Sequence, residues 1–472
     1  MNKYRVALVE AVSDLTHVYS RTCLPRVGLA TIASVLNKNG YKCDLWIKPM
    51  TDSEKKNLAN YDLVGIGSLS NTINEAYNLS DYLRKKGTKV VMGGPHVSFM
   101  PEEALNHCDY VIKGEGDETF LSLVKILEKG AIPDGLKSIS YKNKDNTFQH
   151  NEIHDVVNFS EVPSPDFTLS PQINNNDIPP IVVTSRGCPH NCSFCSVTPL
   201  FGRKYRFKSH EQVIEELRPI QHKSVCFGDD NFCANPKRAK SLMREMIKRD
   251  AVPLRWSGQM CVSAASDNEL LELMEETRCR IVYVGIESVD PETLNRYGKA
   301  HTVDAVKQCV ENLHKHNIGI HGMFVVDSKD NPDAAKNIVD YAIETDIDTI
   351  QVFSLTPFPG TRAYEENRNI LLHNQWSQYD GMHVVVKPEK CSAYTMQMAI
   401  INQMKRFYSL TRILTSYRKK RGWRVKYRLG GNLLLRKWIK ENSEYIESLK
   451  EHSVTNGSVN MFMKKTTRAL NG

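Results

Sequence analysis

Short apolar runs alternate with amphipathic stretches over the first 130 residues. The runs begin at Val6, Leu45, Leu63, Val90 and Tyr110, and glycines follow several of them closely. Uninterrupted apolar runs of this length are typical of strands that are buried on both faces of a parallel sheet. Helical periodicity lies between them, so the pattern predicts an α/β fold with a doubly wound, flavodoxin-like (Rossmann-type) sheet. Such sheets bind ligands at the carboxyl edge, where these glycines fall.

A second series of strand and helix patterns begins at Ile181 and ends near Phe353. Its six strand–helix units predict an open, partial (β/α)6 barrel of TIM type, because a closed barrel needs eight. Between the two series the alternation of strand and helix patterns stops and prolines are frequent, which indicates a linker with one possible hairpin from Leu136 to Phe148. The predicted boundaries are 1–130 for the first domain, 131–180 for the linker, 181–386 for the barrel and 387–472 for a helical C-terminal segment.

Charge is distributed unevenly along the chain. The net charge of +8 comes from 62 Lys and Arg against 54 Asp and Glu, but 14 of the basic residues and no acidic residue lie between Lys390 and Lys440. This segment, 390–440, either docks on the acidic remainder of the chain or binds an anionic surface such as nucleic acid or lipid. Its stripe of leucines suits both interpretations.

No apolar stretch reaches the roughly 18 residues that a membrane span needs. The apolar run Val6–Val9 is too short for the core of a signal peptide. We therefore expect a cytoplasmic protein without a transmembrane segment, in which the cysteines are reduced.

The sharpest chemical signal is a cysteine-rich loop directly after the first barrel strand. Cys188, Cys192 and Cys195 follow a C-x3-C-x2-C spacing, and thiolates this close converge on one soft metal centre. Structural zinc needs four closed ligands, and because the next cysteine is Cys226, His190 would have to serve. Three thiolates on an iron–sulfur cluster leave one iron open for a substrate. A zinc site and an electron-transfer cluster are the alternatives.

This loop resembles the radical S-adenosylmethionine (SAM) superfamily, with Phe194 as the aromatic residue of its C-x3-C-x-Φ-C motif. The resemblance implies that Cys188, Cys192 and Cys195 hold a [4Fe-4S] cluster whose fourth iron chelates SAM. It also implies reductive cleavage of SAM to a 5′-deoxyadenosyl radical, with electrons from an external one-electron reductant of flavodoxin or ferredoxin type. Phe194 is then expected to contact SAM.

Three carboxylates match positions at which this superfamily contacts SAM. The turn after the second barrel strand carries Asp229 and Asp230, where the resemblance implies binding of the methionine amino group, and Glu287 ends the fourth strand. Each carboxylate could instead be an ordinary cap, turn or strand-end residue. Residues 357–361 resemble the adenine-side turn. The stretch 322–327 departs from the pattern, since it lacks the glycine commonly found at the end of the fifth strand.

A flavodoxin-like domain upstream of such a barrel resembles the cobalamin-binding subfamily. The resemblance is carried by 25–30, 93–97 and 113–118, and the cobalamin motif D-x-H-x-x-G is absent because residues 14–17 have the wrong spacing. The subfamily usually lacks this motif too. The implied cobalamin-contacting residues are Gly67, Ser68, Gly93, Gly94, Pro95, His96, Gly114, Glu115 and Gly116. Two alternatives are that His96 is merely hydrogen-bonded in its turn and that the sheet binds no corrin but a substrate or partner.

Together these resemblances imply a cobalamin-dependent methyltransferase acting on an unactivated carbon or a phosphinate of a small-molecule, peptide or lipid substrate. One SAM would methylate cobalamin, and a second would generate the radical that activates the substrate. The alternatives are a non-methylating radical reaction, such as ring formation, rearrangement or lipid modification, and a protein that holds a cluster without catalysis. No sequence motif assigns further catalytic residues.

Overall fold

The computed structural model describes residues 4–12, 25–153, 156–174, 177–299, 301–418 and 422–451. The N-terminal strands are β1 Val6–Glu10, β2 Cys43–Trp46, β3 Leu63–Gly67, β4 Lys89–Gly93, β5 Tyr110–Ile112, β6 Ile139–Lys142 and β7 Phe148–His150. The helices of this part are α1 Val27–Lys38, α2 Asp52–Asn57, α3 Ile73–Lys85, α4 Pro95–Phe99, α5 Pro101–Ala104 and α6 Thr119–Glu128.

These strands form one sheet in the order β2-β1-β3-β4-β5-β6-β7, in which β1 to β5 are parallel. The five parallel strands confirm the predicted doubly wound fold. The hairpin predicted between Leu136 and Phe148 forms β6 and β7, and β6 pairs antiparallel with β5. The N-terminal sheet thus continues beyond residue 130, because the hairpin satisfies the backbone groups that the edge of β5 would otherwise expose.

The second part of the chain forms the open barrel. Its strands are β8 Ile181–Val182, β9 Ser185–Arg186, β10 Arg206–Phe207, β11 Ser224–Phe227, β12 Arg255–Met260, β13 Cys279–Glu287, β14 Gly319–Val326 and β15 Thr349–Ser354. Its helices are α7 Val197–Phe201, α8 His210–Leu217, α9 Pro236–Lys248, α10 Asn268–Glu276, α11 Pro291–Tyr297, α12 Val303–Lys315, α13 Asp333–Glu344 and α14 Arg362–Asn367.

Six of these strands form a parallel sheet in the order β15-β14-β13-β12-β11-β8. This order confirms the predicted partial barrel. The apolar run at Ile181 is shorter as a sheet strand than its sequence suggests, because the chain leaves the sheet after Val182. It then forms the separate strand β9, which pairs antiparallel with β10 just before the cysteine loop.

The C-terminal segment is helical, as predicted, with α15 Ala393–Phe407, α16 Leu410–Arg418, α17 Gly422–Glu441 and α18 Ser443–Glu451. Helix α15 packs against β15 and α13, and α17 against α16 and β15. None of the described helices is both long and apolar enough to cross a membrane. Residues 419–421 of the basic segment lie outside the described residues.

Two arginines of α17 attach it to the barrel. Arg424 forms ion pairs with Asp346, at 2.9 Å, and with the fully buried Asp348, while Arg428 donates to the Asp348 carbonyl at 2.8 Å. Both aspartates precede β15, so α17 lies at the amino edge of the barrel sheet. Part of the basic segment therefore docks on the chain's own acidic residues.

We predict that Arg424→Leu destabilises the barrel by about 3–5 kcal/mol, because the substitution removes the cationic partner of a buried carboxylate. Urea unfolding followed by tryptophan fluorescence measures this loss. The matched control is Lys426→Leu, an exposed position two residues along the same helix, which should shift the free energy of unfolding by no more than about 0.5 kcal/mol. Equal unfolding midpoints for the two variants would contradict the prediction.

Candidate active site

The cysteine loop leaves β9 at Gly187 and is fixed to neighbouring helices. Gly187 has a φ of +84°, and a Cβ there would lie 2.5 Å from the Lys204 carbonyl, so the loop requires glycine at its start. Further along, the Ser193 amide donates to the Tyr297 carbonyl at the end of α11, and the Ala363 amide of α14 donates to the Ser193 carbonyl at 2.9 Å. Backbone hydrogen bonds thus hold the loop at the carboxyl edge of the barrel.

The loop carries three half-buried thiols, those of Cys188, Cys192 and Cys195, and each lies close enough to another for their charges to interact. Burial raises the pKa of each, and that of Cys195 rises to about 12, with contributions from the charges of Cys192 and Cys188. A bound metal centre would supply the positive charge that thiolates need in such surroundings. Among the described residues no three His, Cys, Asp or Glu side chains converge closely enough for a single ion. The four converging ligands that a structural zinc site needs are thus not seen in the described part of the chain.

The neighbouring carboxylates Asp229 and Asp230 have different surroundings. Asp229 is fully buried and accepts hydrogen bonds from the Thr184 amide at 3.2 Å, the Thr184 hydroxyl at 2.9 Å and the Ser185 hydroxyl. Asp230 accepts no hydrogen bond within the described part of the chain. Burial and the charge of Asp229 raise the pKa of Asp230 to about 7. Asp229 therefore fixes the ends of the strands, and Asp230 is the carboxylate that can accept a ligand.

Glu287 ends β13 with a φ of +66°, a strained conformation for a residue with a side chain. Its Oε1 lies 2.8 Å from Nζ of Lys299. Although burial opposes the charge of Lys299, Glu287 and Cys192 raise the pKa of this lysine. The Lys299 ammonium also lies 5.9 Å from the ring centroid of Phe194, which packs edge-on against Tyr297. Phe194, Glu287 and Lys299 thus adjoin the cysteine loop.

Lys299 was missed by the sequence reasoning. It lies outside every strand end and belongs to no motif, so its sequence neighbourhood carries no signal of a site. The turn at Gly298, with a φ of +71°, ends α11 and brings the lysine back to Glu287. A positive charge paired with a strand-end carboxylate becomes recognisable only in three dimensions.

The glycine turns of the N-terminal sheet leave open backbone at its carboxyl edge. A Cβ at Gly93 or Gly114 would meet nothing within 4 Å, while at Gly94, with a φ of +112°, it would lie 2.2 Å from the Ser68 carbonyl. The Ser68 hydroxyl is buried and has no hydrogen-bond partner among the described residues. These residues lie at or directly after the ends of the adjacent strands β3, β4 and β5, and Pro95 begins α4. The open glycines and the unpaired hydroxyl fit a large flat ligand that approaches the backbone.

Three of the expected cobalamin residues have other contacts. His96 is buried, with Nδ1 3.0 Å from the Ser70 hydroxyl and Nε2 3.4 Å from Glu103. Hydrogen bonds therefore occupy both ring nitrogens, as in the alternative interpretation of a turn histidine. A Cβ at Gly67 or Gly116 would press on the side chains of α1, so these two glycines serve close helix packing.

Glu115 joins the N-terminal sheet to the barrel instead of standing free. Its carboxylate lies 2.9 Å from Arg186 and 2.8 Å from Arg206, and Asp117 binds Arg186 through both oxygens at 2.6 and 3.0 Å. The four side chains are no more than 11% exposed, and Arg186 also stacks on Phe159. Because Arg186 lies two residues before Cys188, this ion network places the turn after β5 beside the cysteine loop.

Comparison with known proteins agrees with this arrangement. Residues 182–342 match the Radical SAM superfamily, and residues 17–124 match the B12 binding domain. An uncharacterized methyltransferase of Pyrococcus horikoshii is 32% identical over 385 residues, which cover 77% of this chain and 83% of the relative. The bacteriochlorophyllide d C-12(1)-methyltransferase of Chlorobaculum tepidum is 27% identical over 376 residues, covering 77% and 78%.

A solved structure shows the same fold. The radical SAM methyltransferase TsrM from Kitasatospora setae, with cobalamin and a [4Fe-4S] cluster bound, has a TM-score of 0.65 at 18% identity, covering 78% of each chain. The order of domains, the cysteine loop and the extent of the matches all agree. The chain belongs to the cobalamin-dependent radical SAM methyltransferase family, an enzyme family whose cofactors are a [4Fe-4S] cluster, SAM and cobalamin.

Proposed function

We propose that this enzyme transfers a methyl group to an unactivated carbon of its substrate, with a phosphinate as the alternative acceptor. The observation that carries the proposal is the ion network of Glu115 and Asp117 with Arg186 and Arg206. It joins the turn expected to contact the corrin to the loop expected to hold the cluster. Methyl transfer to an activated radical requires both cofactors to reach one substrate. The name of the Chlorobaculum relative, a methyltransferase for a specified carbon, supports the choice of carbon.

When bound, the cluster and SAM supply a 5′-deoxyadenosyl radical, and cobalamin supplies the methyl group. The chain's own residues position these groups. Asp230, which accepts no hydrogen bond in the described structure, is suited to the ammonium group of SAM, and Lys299 to its carboxylate. Phe194 and Tyr297 pack edge to face beside Lys299 and supply an apolar surface that would limit the access of water to the radical. An external one-electron donor of flavodoxin or ferredoxin type is required for each cleavage.

The proposed function predicts a methylated product whose formation depends on the loop cysteines. Protein reconstituted anaerobically with iron, sulfide and hydroxocobalamin is incubated with a reductant, SAM carrying a trideuterated methyl group, and candidate substrates. Mass spectrometry should show the labelled methyl group on the product, together with S-adenosylhomocysteine and 5′-deoxyadenosine. Cys192→Ala should abolish 5′-deoxyadenosine and the brown colour, whereas Cys391→Ala, a part-exposed thiol on the C-terminal segment, should retain both. Deoxyadenosine from the Cys192 variant would refute the cluster assignment, and deoxyadenosine without methylated product for any substrate class would refute methyl transfer.

Asp230→Asn should weaken SAM binding by about 10- to 100-fold, because it replaces a charge-assisted contact to the ammonium group with a neutral one. Isothermal titration of the reconstituted protein with SAM measures the dissociation constant. Asp145→Asn, an exposed aspartate of the β6–β7 turn, serves as the matched control. Asp229→Asn should lower thermal stability, because Asp229 ties β8, β9 and β11 together. An unchanged affinity in Asp230→Asn with a full iron content would exclude Asp230 as the ammonium ligand.

Asp117→Asn should separate the two SAM-dependent reactions. The variant keeps the shape of the side chain and loses the charge that binds Arg186, so one of the two carboxylates that fix the turn after β5 to the cysteine loop is removed. We expect S-adenosylhomocysteine formation on hydroxocobalamin-loaded protein to fall by about 10- to 100-fold, as for other misplaced reacting groups. Formation of 5′-deoxyadenosine should change less than about twofold, since the cysteine loop keeps its own hydrogen bonds.

The control for this variant is Glu118→Gln, the exposed neighbour of Asp117. Both products are measured by liquid chromatography from the same anaerobic incubation, and the corrin absorbance reports cobalamin content. A parallel fall of both products in Asp117→Asn would show that the network supports only folding.

A further inference from the structure

Helices α16 and α17 present leucines on the sides that face away from the barrel. On α16, Leu410 is 58% and Leu414 62% exposed, and on α17 Leu429 is 42% and Leu433 49% exposed. Each pair is four residues apart and therefore lies on one face of its helix, one turn from the other. The opposite side of α17 carries Arg424 and Arg428, which attach it to the barrel. Helix α17 thus attaches to the barrel through its buried side and exposes leucines on the other side.

Basic side chains accompany these exposed leucines. In α17 the positions Lys426, Leu429, Leu433 and Lys437 follow helical spacing along one face, with a lysine at each end. Lys426 is exposed, and the side chain of Lys437 is 63% exposed with a loose pair to Glu441 at 3.6 Å. We use the term outer face for the exposed residues of α16 and α17 that point away from the barrel: Leu410, Leu414, Lys426, Leu429, Leu433 and Lys437.

The charge of the surrounding segment has a single sign. Between Lys390 and Lys440 the sequence contains no Asp or Glu, so acidic side chains of this segment cannot neutralise the outer face. Arg424 and Arg428 bind carboxylate and carbonyl groups of the barrel. Lys426 and Arg436, in contrast, are exposed to solvent. A single exposed leucine needs no explanation, but Leu429 and Leu433 with a lysine at each end form an amphipathic stripe, and the adjacent helix α16 exposes two more leucines.

This chemistry fits an anionic lipid surface better than a nucleic acid. Single strands are gripped by exposed aromatic rings on which bases stack. Of the three aromatic rings of α17, Trp438 is buried and Trp423 lies against Gly319 and the Arg280 guanidinium, 4.4 Å from the ring. Tyr427 is the exposed ring of this helix, at 45%, and one ring does not form a platform for successive bases. Aliphatic leucines insert between lipid headgroups, and the flanking lysines pair with anionic phosphates. We propose that the outer face of α16 and α17 is a docking site for an anionic membrane surface.

The position of this site in the fold indicates its role. Helix α17 contacts Asp346 and Asp348, which precede β15, so it lies at the amino edge of the parallel barrel sheet. The cysteine loop follows β8 and β9 at the carboxyl edge. A membrane bound to the outer face would therefore hold the enzyme from the side opposite its active site and leave the site open. The inference concerns location on a surface and does not depend on the proposed methyl transfer.

The test is co-sedimentation of the full chain with vesicles of phosphatidylcholine alone or of phosphatidylcholine mixed with phosphatidylglycerol. We expect binding to the mixed vesicles only, decreasing as sodium chloride is raised. The double variant Lys426→Gln with Lys437→Gln should bind about 30-fold more weakly, and Leu429→Gln with Leu433→Gln at least about tenfold more weakly. The matched controls on the N-terminal domain are Lys55→Gln with Lys56→Gln, on α2, and the exposed Ile132→Gln, which should leave binding unchanged.

Thermal unfolding and 5′-deoxyadenosine formation establish that each variant is folded. Binding to mixed vesicles that the outer-face variants do not weaken would overturn the proposal, as would no binding at all. A single-stranded oligonucleotide that binds more tightly than the vesicles and displaces them would assign the face to nucleic acid. Light scattering measures the oligomeric state of the protein. If the protein is a dimer and the leucine variants convert it to a monomer, the outer face is a subunit interface and membrane docking is overturned.

Discussion

Two arginines and two carboxylates lie nearly buried where the N-terminal sheet meets the barrel. Arg186, Arg206, Glu115 and Asp117 could not occupy this place singly, because a buried charge without a partner costs several kcal/mol. Together they satisfy one another, and Glu115 also accepts the Val157 amide at 3.1 Å. The desolvation cost makes the network specific, since any shift of one sheet against the other would leave a charge unpaired. The relation between the turn after β5 and the cysteine loop depends on this constraint.

The same principle separates the roles of Asp229 and Asp230. Both are acidic, adjacent in sequence and largely removed from water, but only Asp229 receives hydrogen bonds within the described structure. The ionised form of Asp230 is disfavoured by burial and by its neighbour, so a cationic group at this position gains more from it than from a solvated carboxylate. Lys299 and Glu287 form a neutral pair close by. The site therefore contains an ion pair beside the cysteine loop and a carboxylate, Asp230, that accepts no hydrogen bond within the described structure.

Much of the fold could be predicted from the sequence because strands such as Leu63–Gly67 and Gly319–Val326 have a strong local signal. The cysteine loop was recognisable for the same reason, since its spacing lies within eight residues. What could not be predicted depends on long-range pairing. Lys299 has no local signature, and the contact of Glu115 with Arg186 spans 71 residues. Likewise the hairpin that extends the first sheet reads as a linker until its partner strand β5 is known.

An open barrel of six strands leaves two free edges, at β8 and β15, and exposed edges invite unwanted pairing. The N-terminal domain contacts the segment that leads into β8 and the segment that follows β15. Ile178 and Ile181, at the start of β8, pack on one of its apolar clusters, and Trp376 and Val385, after β15, pack on the other. At Gly360 a Cβ would collide with Phe99 of the N-terminal domain, so the turn beyond β15 requires glycine for this approach. The N-terminal domain thus packs beside both ends of the barrel sheet, and separating the two would expose these apolar contacts.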